Sequence, residues 1–153
     1  MQAVVAVVSL KGGVGKTTIA LGLAGAVMLR EQRALVVDLD PQANATTALA
    51  PKEVTFTTND VLADGRMGTL KEAIVTSGWD PLVDLVPSEP ALEHRNRGEV
   101  RSKEHRLRGA MADLSGYDLV ILDCPPSLGE LTKNALAAAH AALVVTEPTI
   151  FAV

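Results

Sequence analysis

The sequence has 153 residues, 48% hydrophobic and 21% charged, with a formal net charge of −4. That length and composition suit one domain with a real core and exclude a disordered chain. A chain held to nucleic acid by bulk charge would be basic, so any DNA contact here has to be a local patch. Aromatic residues make up only 3%, so Val, Leu, Ile and Ala must build the core. The one cysteine, Cys124, excludes an internal disulfide and a Cys cluster for zinc or iron–sulfur within the chain. No basic stretch with an apolar run and cleavage site opens the sequence. The longest apolar run, residues 135–145, is interrupted by His140. It falls short of the roughly 20 residues a spanning helix needs. A soluble, cytoplasmic protein is the expectation.

Residues 3–8 read AVVAVV, a continuous β-branched run that suits a strand buried on both faces. Two glycines follow, then an Ala- and Leu-rich helix over about residues 17–30. Residues 34–40 (ALVVDLD) read as a second buried strand, completing a βαβ unit. Residues 46–50 are expected as a short helix, with helical turns at 60–63 and 69–76. Residues 82–87 (LVDLVP) predict a third strand. An amphipathic helix is expected over 99–114, with Val100, Leu107, Met111 and Leu114 on one face. Residues 117–123 (YDLVILD) form the next predicted strand, 131–141 an Ala-rich helix, and 142–146 the last strand. This alternation predicts an α/β fold with a mostly parallel sheet and right-handed crossovers.

Residues 11–18, KGGVGKTT, lie between the first strand and the first helix. Glycines let the backbone curl so that several N–H groups point inward at phosphate oxygens. The helix start after Gly15 adds the positive end of its dipole. The motif predicts phosphate contacts from Gly12, Gly13, Val14, Gly15, Lys16, Thr17 and Thr18. Lys16 is the residue that would reach the β- and γ-phosphates, and the Thr17 hydroxyl is a ligand for Mg²⁺. A chance glycine-rich turn is the competing reading, and the strand–loop–helix context argues against it.

Three aspartates end predicted strands: Asp38, Asp40 and Asp123. Ligands bind at the carboxyl ends of strands in such sheets, so all three face the rim that carries the loop. For Asp38 and Asp40, helix capping by an Asx residue is an equal alternative on the residues alone. Asp123 follows an apolar run, the Walker B form whose carboxylate holds the Mg²⁺ shell. Pro125, Pro126 and Gly129 follow it, a stiff segment with a hinge that suits a switch.

The loop departs from the common GxxxxGK[ST] pattern. Leu10 stands at the first glycine position and an extra lysine, Lys11, precedes the double glycine. Here the sequence resembles the ParA/MinD family of deviant Walker P-loop ATPases, whose loop reads KGGxGK[ST]. The DLDPQANAT and DCPPSLGELTKNAL strings resemble its second and third nucleotide motifs. Cysteine and tyrosine counts and the lack of a C-terminal amphipathic helix turn the resemblance toward the ParA/Soj partition branch. It implies a single three-layer α/β/α ATPase domain over residues 1–153, short at its C-terminal side relative to the family.

The resemblance also implies roles. Lys11 would reach a partner subunit's nucleotide across an ATP-sandwich dimer. Gly12 would leave room for that partner. Asp40 would position the attacking water, with Asp38 in support near the metal. The implied cofactors are ATP and Mg²⁺. The implied partners are a second copy of the chain and a ParB-like centromere-binding protein that stimulates slow hydrolysis. Membrane binding is not expected, and nucleoid association comes with the DNA. On the residues alone, Lys11 reads equally as a solvated loop lysine. A small-molecule ligase or phosphotransferase, and a non-catalytic nucleotide-binding fragment, are the other function readings. Arg97, Arg101, His105 and Arg108 recur at helical spacing. That stripe is either a DNA contact or, balanced by Glu93, Glu99 and Glu104, a solvated face.

Overall fold

The computed structural model describes residues 2–97 and 103–148. The first strand, β1 (Ala3–Val8), leads through the glycine loop into α1 (Lys16–Met28). β2 (Ala34–Asp38) follows, then the short helices α2 (Asn44–Leu49) and α3 (Thr58–Asp64). A 3-10 turn (Thr69–Ala73) precedes β3 (Val75–Thr76) and β4 (Val83–Val86). Next come α4 (Glu93–Asn96), α5 (Arg106–Ala110), β5 (Leu119–Asp123), α6 (Glu130–Ala138) and β6 (Ala141–Val144).

The strands form one sheet in the order β3-β4-β2-β5-β1-β6. All neighbours are parallel except the β3–β4 edge pair. Every residue of β2 and of β4 is buried, as the unbroken apolar runs require in a sheet covered on both faces. Alternate residues serve opposite layers. Leu35, Val37, Val120 and Leu122 face one core with Leu62, Leu107 and Leu131. Val36 and Ile121 face the other with Ala20, Ala24 and Leu49. The predicted three-layer α/β/α architecture and mostly parallel sheet are therefore present.

Two expectations from the sequence need correction. The helix expected over 99–114 is, among the described residues, only the five residues of α5. Residues 99–102, with Val100 and Arg101, lie outside the described residues. The N–H of Leu107 donates to Asn134 Oδ1 at 3.1 Å, so a side chain from another helix caps this turn. The chain then leaves the helix, with Asp113 at φ 62°. Leu107, Met111 and Leu114 of the expected apolar face still share one core, although the helix is shorter than expected. Of the basic stripe, Arg101 lies outside the described residues, and the described Arg97 and His105 belong to no common helix. Arg97 ends α4 and pairs with Glu93, while His105 precedes α5 and lies against Glu104. The second correction is the turn expected over 69–76. Its last residues, Val75 and Thr76, pair with β4 as an antiparallel edge strand, which suits their β-branching.

At the opposite end of the sheet from the loop, Asp84 Oδ2 accepts from both Arg33 Nη2 and Tyr117 Oη at 2.7 Å. The Arg33 guanidinium also lies 4.9 Å from the Tyr117 ring centre. Burial and this bond to a carboxylate push the Tyr117 hydroxyl well above its ordinary range. Asp84→Ala leaves two donors without their acceptor. It should cost about 2 kcal/mol in denaturant unfolding, with ATP affinity unchanged because the site is at the far rim.

Candidate nucleotide site

The loop geometry follows from its glycines. Gly13 and Gly15 sit at φ 75° and 93°, conformations that side chains with a Cβ rarely take. Gly15 is the N-cap of α1, which has no side-chain cap and no acid in its first turn. Its first closing bond is Ile19 N–H to Gly15 C=O at 3.0 Å. The amides before Ile19 have no helical acceptor, and the helix presents a bare positive end.

These groups face an open cleft of about 390 Å³. The loop contributes Gly12, Gly13, Gly15, Lys16, Thr17 and Thr18 to it. Asp40, Gln42 and Asn44 come from the segment after β2, and Pro126 from the segment after β5. Two predicted residues are placed elsewhere. Val14 packs against the α1-side core, so only its backbone can serve the cleft. Lys11 is half exposed and its Nζ pairs with Glu147 beyond β6. Lys16, by contrast, is buried to 7% exposure in the cleft wall. Sequence reasoning missed Gln42, Asn44 and Pro126 as individual lining residues. The signal for them was that they fall within the strings resembling the second and third nucleotide motifs.

The aspartates gather behind the loop. Asp38 and Asp123 are register partners on the adjacent strands β2 and β5, and both are fully buried. Thr17 Oγ1 donates to Asp123 Oδ2 at 2.7 Å. Asp38 Oδ2 accepts from Thr46 N and Oγ1 at 2.8 and 2.7 Å, and Oδ1 accepts from Asp40 N at 3.1 Å. Asp38 therefore braces the segment that carries Asp40. Asp40 Oδ1 accepts from Gln42 N at 2.9 Å, an Asx turn that coexists with its place in the cleft wall; it does not cap α2, whose N-cap is Ala43. Burial pushes Asp38 up to about 6. Burial, with the charges of Asp38 and Asp40, pushes Asp123 up to about 7. Cys124 is buried, donates weakly to Leu122 C=O, and burial pushes its thiol above the ordinary range. It is an inert packing residue.

The donor set fits a hard divalent cation held together with a phosphate. Asp123 Oδ1 is buried and has no hydrogen-bond partner among the described residues. Next to it are the Thr17 hydroxyl and a second carboxylate. Among the described residues no cluster of three or more His, Cys, Asp or Glu side chains could hold a metal by itself. The remaining ligands would have to be nucleotide oxygens and water, the usual setting of Mg²⁺.

A stability effect follows. Between about pH 4 and about pH 7 the unfolded chain has lost the Asp123 proton and the folded chain keeps it. Stability from this group therefore falls as pH rises across that window. Asp123→Asn should raise the unfolding free energy of the nucleotide-free protein by about 4 kcal/mol at about pH 8, and by almost nothing at about pH 4. Thermal unfolding at the two pH values reads this directly. Equal shifts at both would remove the buried charge from the account.

A glycine loop on a helix start, a buried lysine and a strand-end carboxylate bonded to the loop threonine define a P-loop nucleotide-binding site. The second lysine before the double glycine makes it the deviant Walker form. The AAA domain family model (AAA_31) matches residues 2–153. The chromosome partitioning protein ParA of Myxococcus xanthus is 41% identical over 148 residues, covering 88% of this chain and 48% of that protein. The crystal structure of cobyrinic acid a,c-diamide synthase from Mycobacterium smegmatis, with bound ATP analog and magnesium, is 36% identical. It aligns with a TM-score of 0.83 over 95% of this chain and 60% of that one. A plasmid partition protein from Borrelia burgdorferi is 25% identical, with a TM-score of 0.87 over 99% of this chain and 69% of that one. The chain belongs to the AAA domain family, and its sequence is similar to that of ParA and Soj partition proteins. It spans about half the length of the curated relatives it matches. Among the described residues no helix is long and apolar enough to cross a membrane.

Proposed function

We propose that this chain works as a Mg-ATP-dependent switch in the partition of plasmid or chromosomal DNA. ATP binds in the cleft of residues 12–18, 40–44 and 126. A second copy of the chain docks on the same rim when the γ-phosphate is present. Hydrolysis is slow, and a ParB-like protein on centromere-like DNA stimulates it in the cytoplasm.

The observation that carries this reading is the separation of the two lysines. Lys16 lines the cleft from within, and Lys11 stands outside it on the rim. One subunit uses one lysine, so the other, paired with Glu147 on the exposed rim, can exchange that partner for a second subunit's nucleotide. The rim supports a partner in two more ways. Leu10 and Leu128 are 71% and 60% exposed beside the cleft. A Cβ placed on Gly12 would meet only Pro126, at an ordinary 4.0 Å, so the subunit alone does not demand glycine there.

Thr17 and Asp123 would hold Mg²⁺, with Asp38 behind them. When bound, the ion supplies Lewis-acid stabilisation of the charge on the transferring phosphoryl group. Lys16 binds the phosphates as a point charge from the cleft wall. Asp40 has one oxygen held by Gln42 N–H, leaving the other to orient a water and take its proton.

The test is Asp40→Ala. ATP affinity should stay within about twofold of the parent while hydrolysis falls about 100-fold, the range of a lost general base. Turnover equal to the parent would remove Asp40 from catalysis. Likeness to a cobyrinic acid a,c-diamide synthase favours a second reading, a small-molecule ligase on the same loop. Under that reading a carboxylate substrate, and no DNA-bound partner, would raise phosphate release. A chain that binds ADP and ATP alike, stays monomeric in sedimentation and releases no phosphate would be a non-catalytic nucleotide-binding module.

A further inference from the structure

Asp40 sits in a closed ring of hydrogen bonds that reaches across to the exit of β4. Its N–H donates to Asp38 Oδ1 at 3.1 Å. Asp38 Oδ2 accepts from Thr46 Oγ1 at 2.7 Å. Thr46 Oγ1 in turn accepts from Ser88 N–H at 2.8 Å. Ser88 Oγ donates to the Asp40 carbonyl at 2.7 Å and closes the ring. Asp38, Asp40 and Ser88 are all buried. Ser88 is not part of the cleft wall. It lies two residues past β4, the strand paired with β2.

We propose that Ser88 is a positioning residue for Asp40, acting through the Asp40 carbonyl and resting on the hydrolytic role of Asp40 proposed above. The backbone of residue 40 lies beyond the end of β2, where the sheet no longer fixes it. Asp40 C=O also accepts from Ala43 N–H at 2.9 Å, but that bond is internal to the same loop and moves with it. Ser88 ties the loop to a different strand, through a hydroxyl to the Asp40 carbonyl and an amide to Thr46. Removal of the hydroxyl leaves the carbonyl satisfied by Ala43, so the fold survives and the aim of the carboxylate loosens. Displacement of a catalytic group by about 1 Å costs on the order of 100-fold in rate.

The experiment compares Ser88→Ala and Ser88→Thr with the parent chain. It measures Mg-ATP affinity, phosphate release, and amide hydrogen exchange of residues 39–47 without nucleotide. Ser88→Ala should bind ATP within about twofold of the parent, release phosphate at least about tenfold more slowly, and exchange faster over residues 39–47. Ser88→Thr, which restores the hydroxyl, should recover most of the rate and the protection. Loss of ATP affinity in step with the rate would assign Ser88 to the general fold and overturn the proposal. Parental rate and exchange in Ser88→Ala would overturn it as well. If Asp40→Ala hydrolyses like the parent, the role of Asp40 has failed. Unchanged exchange in Ser88→Ala then overturns the ring separately, and faster exchange upholds it.

Discussion

Lys16→Ala should abolish usable ATP binding and leave a folded protein. Lys16 is the first residue of α1, is buried in the cleft wall, and enters no ion pair among the described residues. Its charge is felt by Asp123 in the nucleotide-free fold, so the variant should stay folded with at most a small change in melting temperature. The gain from Lys16 comes with an anion. Each charge-assisted hydrogen bond to phosphate is worth about 1.5–3 kcal/mol. Two such bonds lost weaken affinity roughly 100- to 10,000-fold. Lys16→Arg should not rescue, because a planar fork does not fit where a compact point charge stood. Calorimetric titration with Mg-ATP, beside a thermal melt, reads both halves. Unchanged affinity in a folded variant would remove the P-loop reading altogether.

Lys11→Ala should do the reverse: keep nucleotide binding and lose the assembly. The Lys11 ammonium stands outside its own cleft, held by Glu147 on the exposed rim. Its removal costs the monomer little, since exposed pairs contribute about 0–1 kcal/mol. In a sandwiched dimer the same ammonium would meet the partner's phosphates and act as an arginine finger does in related chemistry, worth about 10³–10⁵ in rate. Sedimentation with ADP, ATP and a non-hydrolysable analogue should show the parent dimerising only with the triphosphates, and Lys11→Ala monomeric throughout. Gly12→Val should fail to dimerise for a steric reason while binding ATP normally, because the subunit has room for a Cβ there. A Lys11→Ala chain that dimerises like the parent would end the cross-subunit role. A parent that stays monomeric with ATP would mean that these 153 residues do not suffice for the dimer.

The chemistry was legible because it is local. Loop, strand end and helix start lie within residues 8–18, and a phosphate cradle needs glycines, one lysine and one threonine in that order. The Walker B aspartate was equally plain, since an apolar strand ending in a carboxylate carries its own context. Val14 packs its side chain against the core under α1, so the loop contact read for it rests on its backbone N–H alone. The helix over 99–114 was overread because an apolar face has a period but no length. Its start is set by Asn134, 27 residues away.

The sequence alone determined the alternation of elements, the three-layer class, the P-loop and the aspartates at the ends of β2 and β5, with Asp40 falling two residues past β2. These depend on hydrophobic period and on backbone conformations open only to glycine, both written in consecutive residues. Tertiary structure alone decided the strand order, which puts β5 between β1 and β2 and so brings Asp123 beside Asp38 and under Thr17. It alone separated Lys16 from Lys11, five positions apart in one loop yet one inside the cleft and one on the rim. It alone joined Ser88 to Asp40 across 48 residues. Such pairings follow from which strands lie side by side, and adjacency in a parallel sheet is settled by the packing of both faces at once, not by any single segment.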